Sequence, residues 1–159
     1  MDNSEQKFKD LICRHKDFIW HICEGYRMGV AWEVSDMFQE VLCMLWRYYP
    51  GFDGRSAERT WIYKVANNTL ISLKRKAVNR QQFDDAIPEQ HHNDDKSEYN
   101  DLMRLVETLE EKDYSIVKAH LDGFDYAEIA EITGQTVAAV SMRLSRAKQK
   151  LRKMYEDGK

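Results

Sequence analysis

Proline is nearly missing from this chain, with two in 159 residues, and glycine is sparse at seven. Both break helices, by about 3 and about 1 kcal/mol relative to alanine. Their scarcity leaves long stretches free to stay helical and argues against a turn-dense all-β fold. A run of roughly 18 apolar residues is also missing, as is an apolar secretion segment at the N-terminus. The expectation is therefore a soluble, unsecreted, cytoplasmic chain with no membrane insertion. The cysteines are three, Cys13, Cys23 and Cys43. An odd set inside apolar helical patterns predicts buried, reduced thiols rather than a disulfide framework. No nucleophile constellation, metal-ligand spacing or phosphate loop is visible, so neither a catalytic activity nor a cofactor is expected. His91 and His92 beside Asp94 and Asp95 come nearest to a metal site. Adjacent histidines diverge on most backbones and no cysteine lies close, so a solvated linker is the better reading.

What is present is charge, unevenly placed. The net charge is −3, yet residues 1–80 carry 13 basic and 10 acidic side chains, residues 81–113 carry 3 and 11, and residues 114–159 carry 8 and 6. Two mildly basic blocks flank a strongly acidic one, an arrangement that suits a nucleic-acid binder whose overall charge is negative.

Residues 56–80 read as one helix. Ser56 is a candidate N-cap, and Trp61, Ile62, Val65, Ala66, Thr69, Leu70 and Leu73 recur at helical spacing. Arg59, Lys64, Lys74, Arg75, Lys76 and Arg80 supply cations, and no acid intervenes between Arg59 and Phe83. Trp61 and Tyr63 add flat rings, and Asn67 and Asn68 add amides. Cations for phosphates, rings for unstacked bases and amides for base edges are the parts that hold a single strand. An ordinary amphipathic helix with a solvated basic face is the competing reading of this stretch taken alone.

Upstream, Phe8, Leu11, Ile12, Phe18, Ile19, Ile22 and Cys23 mark a first helix over residues 4–24. Ser35 can cap a second, whose apolar face is Met37, Phe38, Val41, Leu42, Leu45 and Trp46. Asp36, Gln39 and Glu40 lie towards its other side, as a patch for a basic partner or as a complement to the helix dipole. Residues 81–101 lack periodicity and read as a linker.

Downstream, short helices are expected over residues 101–108 and 111–121. Asp125 with Glu128 is a capping box opening a helix over residues 126–132. Gly134 makes a turn, and Thr136 caps a long helix from Val137 to about Tyr155 with a narrow buried stripe expected at Val137, Val140, Leu144, Ala147, Leu151 and Met154. Ala138, Met142, Ser145, Arg146 and Gln149 lie opposite that stripe, and Ser141, Arg143, Lys148 and Lys150 flank it. Six basic residues and no acid occur between Val140 and Lys153. This is the pattern of a helix-turn-helix that presents its second helix to a major groove.

SDMFQEVLCMLWR, RTWIYKVANNTLIS and DYAEIAEITGQTVAAVSMRLSRAKQKL, in that order, resemble regions 2.2, 2.3–2.4 and 4 of the extracytoplasmic-function (ECF) sigma factors. The resemblance implies an all-α chain of two small helical domains, residues 1–82 and 101–159, joined by an acidic linker at 83–100. It implies core RNA polymerase as partner, with Asp36, Gln39 and Glu40 docking on its clamp helices. It implies promoter DNA as the second partner. The minus-ten element, melted, would be held by Arg59, Trp61, Tyr63, Lys64, Asn67, Asn68, Lys74 and Arg75. The minus-thirty-five duplex would be read through Thr136, Ser141, Met142, Arg143, Ser145, Arg146 and Lys148. An anti-sigma factor is implied as a third partner, and the acidic linker would lie in the polymerase's cationic RNA path. Glu58, where the family usually has Phe, and Asn67, Gln135 and Ser141 depart from its pattern. The alternative is a free-standing helix-turn-helix regulator with an N-terminal sensing or dimerisation domain. It leaves the helix at 56–80 without a task.

Overall fold

A computed structural model describes residues 3–26, 33–81 and 97–158. Among them every regular element is a helix, and none is long and apolar enough to cross a membrane. The chain divides into two compact units, Met1–Gln90 and His91–Lys159.

In the first unit three helices pack on one another: α1 (Asn3–Glu24), α2 (Val34–Tyr48) and α3 (Glu58–Gln81). Burial on α2 falls on Met37, Val41 and Leu45, one row at strict i+4 spacing. Helix α2 packs against α1, which buries Leu11, Ile19, Ile22 and Cys23, and against α3, which buries Ile62, Ala66, Leu70 and Leu73 among others. A single 3₁₀ turn, Tyr49–Gly51, leads out of α2.

Two helix starts in this unit do not use the caps expected for them. Ser56 caps nothing: the Arg55 amide donates to Asp53 Oδ1 at 3.0 Å, Gly54 takes a φ of 79°, and the helix opens only at Glu58. The side-chain turn at Asp53 has already redirected the backbone, which moves the start two residues on. Ser35 lies inside the first turn of α2, because extended Glu33 occupies the cap position and its carbonyl accepts from Met37. The cysteines are also corrected. Cys23 is buried, which pushes its thiol pKa up to about 12, whereas Cys13 and Cys43 are exposed.

The second unit holds α4 (Ser97–Glu107), α5 (Glu111–Leu121), α6 (Tyr126–Thr133) and α7 (Val137–Asp157). Helix α4 starts four residues before the sequence pattern suggests. Helix α5 packs against the other three, which buries every residue from Tyr114 to Ala119. That includes Lys118, whose ammonium sits 3.4 Å from Asp122 one turn on. The capping box of α6 forms as expected: Asp125 Oδ1 accepts from the Glu128 amide at 2.8 Å, and Glu128 Oε1 accepts from the Asp125 amide at 3.1 Å. Gly134 ends α6 at a φ of 72°, a left-handed turn that favours glycine. Thr136 Oγ1 accepts from the Ala139 amide at 3.1 Å and starts α7. Val140, Leu144, Ala147 and Leu151 are the buried stripe of α7, whereas the two end positions expected on it are not buried: Val137, in the first turn, is exposed and Met154, in the last, is half-buried, because the packing helices do not reach the ends of α7. The candidate metal group at His91, His92, Asp94 and Asp95 lies outside the described residues, as does most of the expected linker.

Candidate nucleic-acid interface

Helix α3 is wedged between α1 and α2, so most of its girth is inside. Buried positions are Thr60, Ile62, Tyr63, Ala66, Asn67, Thr69, Leu70, Leu73 and Ala77. On a wheel of about 100° per residue, Trp61, Lys64, Asn68 and Arg75 fall within about 60° of one another on the opposite side. Lys64, Asn68 and Arg75 are exposed and Trp61 is half-buried. This row of one ring, two cations and one amide runs about 21 Å along the helix at about 1.5 Å per residue.

The Trp61 ring is held from the side. Phe52 lies 4.7 Å away, tilted by 33°, and Tyr49 lies 6.3 Å away, edge-on. Tyr49 in turn touches Phe8 at 5.3 Å, and Phe8 touches Trp46 at 5.0 Å. The loop between α2 and α3 thus fixes the orientation of the one large ring on the outer row.

Two residues expected to meet the strand do not face it. Tyr63 is fully buried, 6.2 Å from Phe18. Asn67, one turn on, is 2% exposed and its Oδ1 accepts from the buried Tyr26 hydroxyl. Both lie on the same inner face as Ala66 and Leu70, so their expected roles as base contacts are withdrawn. Arg59 is exposed, but its guanidinium lies 4.5 Å over the Phe18 ring, towards α1 rather than on the row. Lys74 is half-buried on a flank.

The head of α3 carries an unforeseen cluster. Arg14 Nη2 donates to both carboxylate oxygens of Glu58, at 2.9 and 3.1 Å, and His15 Nε2 lies 3.1 Å from Oε2. The Arg14 hydrogen bond, with help from His15, holds the Glu58 carboxyl below its ordinary pKa. An acid at the front of a basic helix is thereby neutralised from α1. The basic pair Arg14–His15 was the only sequence signal for it, and nothing in the sequence says which acid it meets.

On α7, Thr136, Ala138, Ser141, Met142, Ser145, Arg146 and Lys148 are all exposed. Arg143 is not among them. Its Nη1 donates to Asp113 Oδ1 of α5 at 3.1 Å, which turns the guanidinium back onto its own unit. Arg143 sits about 70° from the centre of the buried stripe, close enough to reach α5, so its expected place on the reading face is corrected.

Comparison with known proteins bears on both surfaces. Residues 11–80 match Sigma-70 region 2, and residues 99–151 match Sigma-70, region 4, together about three quarters of the chain. The chain belongs to the sigma-70 family, among its ECF members. It is 26% identical to the ECF RNA polymerase sigma factor SigW of Bacillus subtilis over 175 aligned positions, covering 96% of this chain and 91% of SigW. It is 42% identical to SigG of Mycobacterium tuberculosis over 48 residues, 30% of this chain and 13% of SigG, so it matches only a small part of that relative's length. The fold is shared with the sigma factor RpoE of Bartonella quintana, solved with the anti-sigma factor NepR. The TM-score is 0.75 at 20% identity, over 95% of this chain and 98% of that one.

Within this sigma-70 chain, α3 belongs to the region 2 match and α7 to the region 4 match. Asp36, Gln39 and Glu40 are exposed on α2, away from the buried row at Met37, Val41 and Leu45. They form the acidic patch the sequence suggested. Among the described residues no three His, Cys, Asp or Glu side chains converge as metal ligands.

Proposed function

We infer that this protein joins core RNA polymerase and directs it to promoters, as a specificity subunit without catalysis of its own, working in the cytoplasm. The observation that carries this reading is the presence in one chain of a region 2 match, with its outer row on α3, and a region 4 match with a helix-turn-helix.

Each surface has a chemical task. Asp36, Gln39 and Glu40 dock on a basic face of the polymerase. Lys64 and Arg75 hold phosphates of the melted minus-ten strand, Asn68 offers an amide to a base edge, and Trp61 stacks on an unpaired base. Stacking is worth about 1–3 kcal/mol per base, which offsets part of the cost of unpairing. Arg146 and Lys148 anchor α7 on the minus-thirty-five duplex, while Ser141, Met142 and Ser145 face base edges. An anti-sigma factor is the partner expected to hold the protein inactive, by analogy with the RpoE complex with NepR.

The test is run-off transcription with core polymerase on genomic DNA, mapping start sites. The full chain directs discrete starts. Trp61→Ala retains polymerase binding and a folded first unit but slows open-complex formation. Unchanged promoter opening in that variant removes Trp61 from strand capture. Site-specific duplex binding with no effect on polymerase overturns the whole reading in favour of a free-standing regulator.

A further inference from the structure

The leading turns of α7 carry an unusual surface for a helix meant to enter DNA. Ala138, Ser141, Met142 and Ser145 are exposed there, and none is charged. Met142 is 55% exposed and lies opposite the buried stripe, so its thioether arm has no part in the core of its own unit. Val137, at the first position, is 49% exposed. The cation that could have stood in this stretch, Arg143, is tied to Asp113 at 3.1 Å. The first cation on the outward side is therefore Arg146, two turns into the helix.

A major groove presents hydrogen-bonding edges and one apolar group, the 5-methyl of thymine. Guanine is read most often by a bidentate Arg or Lys, and the turns before Arg146 present neither outward. We propose that the leading half of α7 reads the upstream promoter element through thymine methyl groups, with Met142 the principal contact and Ala138 beside it. Arg146 and the later lysines hold the backbone. The proposal rests on the reading of α7 as the duplex-binding helix and names the bases it prefers.

The test uses the full chain bound to core polymerase. Duplexes with a randomised upstream segment are selected by the complex from synthetic, unmethylated DNA, so that thymine is the only source of the methyl. The winning duplex is then remade with deoxyuridine for thymidine, one position at a time. Selection returns thymine on one strand at one or more positions. Removing its methyl weakens binding about four-fold, the equivalent of burying a methyl at about 0.8 kcal/mol. Met142→Ala abolishes that difference, and Met142→Leu keeps it. A selected segment without thymine, no deoxyuridine effect in the unaltered protein, or the same effect in Met142→Ala overturns the proposal. If no segment is enriched over random sequence, the duplex-reading role of α7 falls, and the methyl contact with it.

Discussion

Replacing Tyr26 by Phe removes a single buried oxygen. Tyr26 is 3% exposed and Asn67 2%, and the Tyr26 hydroxyl donates to Asn67 Oδ1 across the interface between the end of α1 and the middle of α3. In Tyr26→Phe the Asn67 carbonyl loses that donor where water cannot replace it. Leaving one buried acceptor unsatisfied costs about 1–3 kcal/mol. For a unit of this size each 1 kcal/mol moves the melting temperature by about 4–8 °C, so a fall of roughly 8–16 °C is expected for a mid-range loss. Asn67→Ala falls at least as far, since it also removes packed atoms. The double variant Tyr26→Phe, Asn67→Leu recovers part of the loss, because the Asn67 acceptor is no longer left stranded. All four tryptophans, Trp20, Trp32, Trp46 and Trp61, lie in the first half of the chain. Tryptophan fluorescence on heating therefore follows the first unit in the intact protein. If Asn67→Ala melts at the unaltered temperature but fails to open promoters, the placement of Asn67 in the core is refuted and its role as a base contact restored.

Two further outcomes are expected. Asp113→Asn releases the Arg143 guanidinium, which gains a phosphate contact. The dependence of log affinity on log salt for a scrambled duplex steepens by about 0.9, and an unchanged slope means that Arg143 stays bound elsewhere. Arg14→Ala changes the acid limb of stability. Because Arg14 holds the Glu58 carboxyl below its ordinary pKa, the stability from this pair is present above the unfolded glutamate value of about 4.3. It is lost as pH falls through the lower folded value. The gap between the unaltered protein and Arg14→Ala, read by urea unfolding, is constant at neutral pH and closes below about pH 4. A gap that persists into strong acid contradicts the pairing.

The elements of α6 and α7 were legible because local chemistry specifies them. Asp125 and Glu128 cap each other three residues apart, Gly134 adopts the left-handed turn, Thr136 bonds the Ala139 amide, and the stripe from Val140 to Leu151 has one period. Helix α3 was legible as a helix but its orientation was not. It is packed against α1 and α2 together, so burial spreads round it to Tyr63 and Asn67 as well as Ala66 and Leu70, and no single apolar stripe marks the inner side. A tyrosine and an asparagine near lysines look like a strand-binding set in one dimension. Only the position of Tyr26, 41 residues away, shows that Asn67 faces inward.

Sequence alone determined that this chain is helical, that its charge is split into blocks, and that it carries a helix rich in cations and rings and, further on, a helix-turn-helix. Helix periods, caps and turns depend on residues close in the chain, and charge blocks are read directly from composition. Tertiary structure decided which of the candidate side chains reach solvent. Packing removed Tyr63 and Asn67, Asp113 drew Arg143 back, and Arg14 neutralised Glu58. The physical reason is that burial and ion pairing are set by side chains brought in from elsewhere in the chain, as Tyr26 is for Asn67, Asp113 for Arg143 and Arg14 for Glu58.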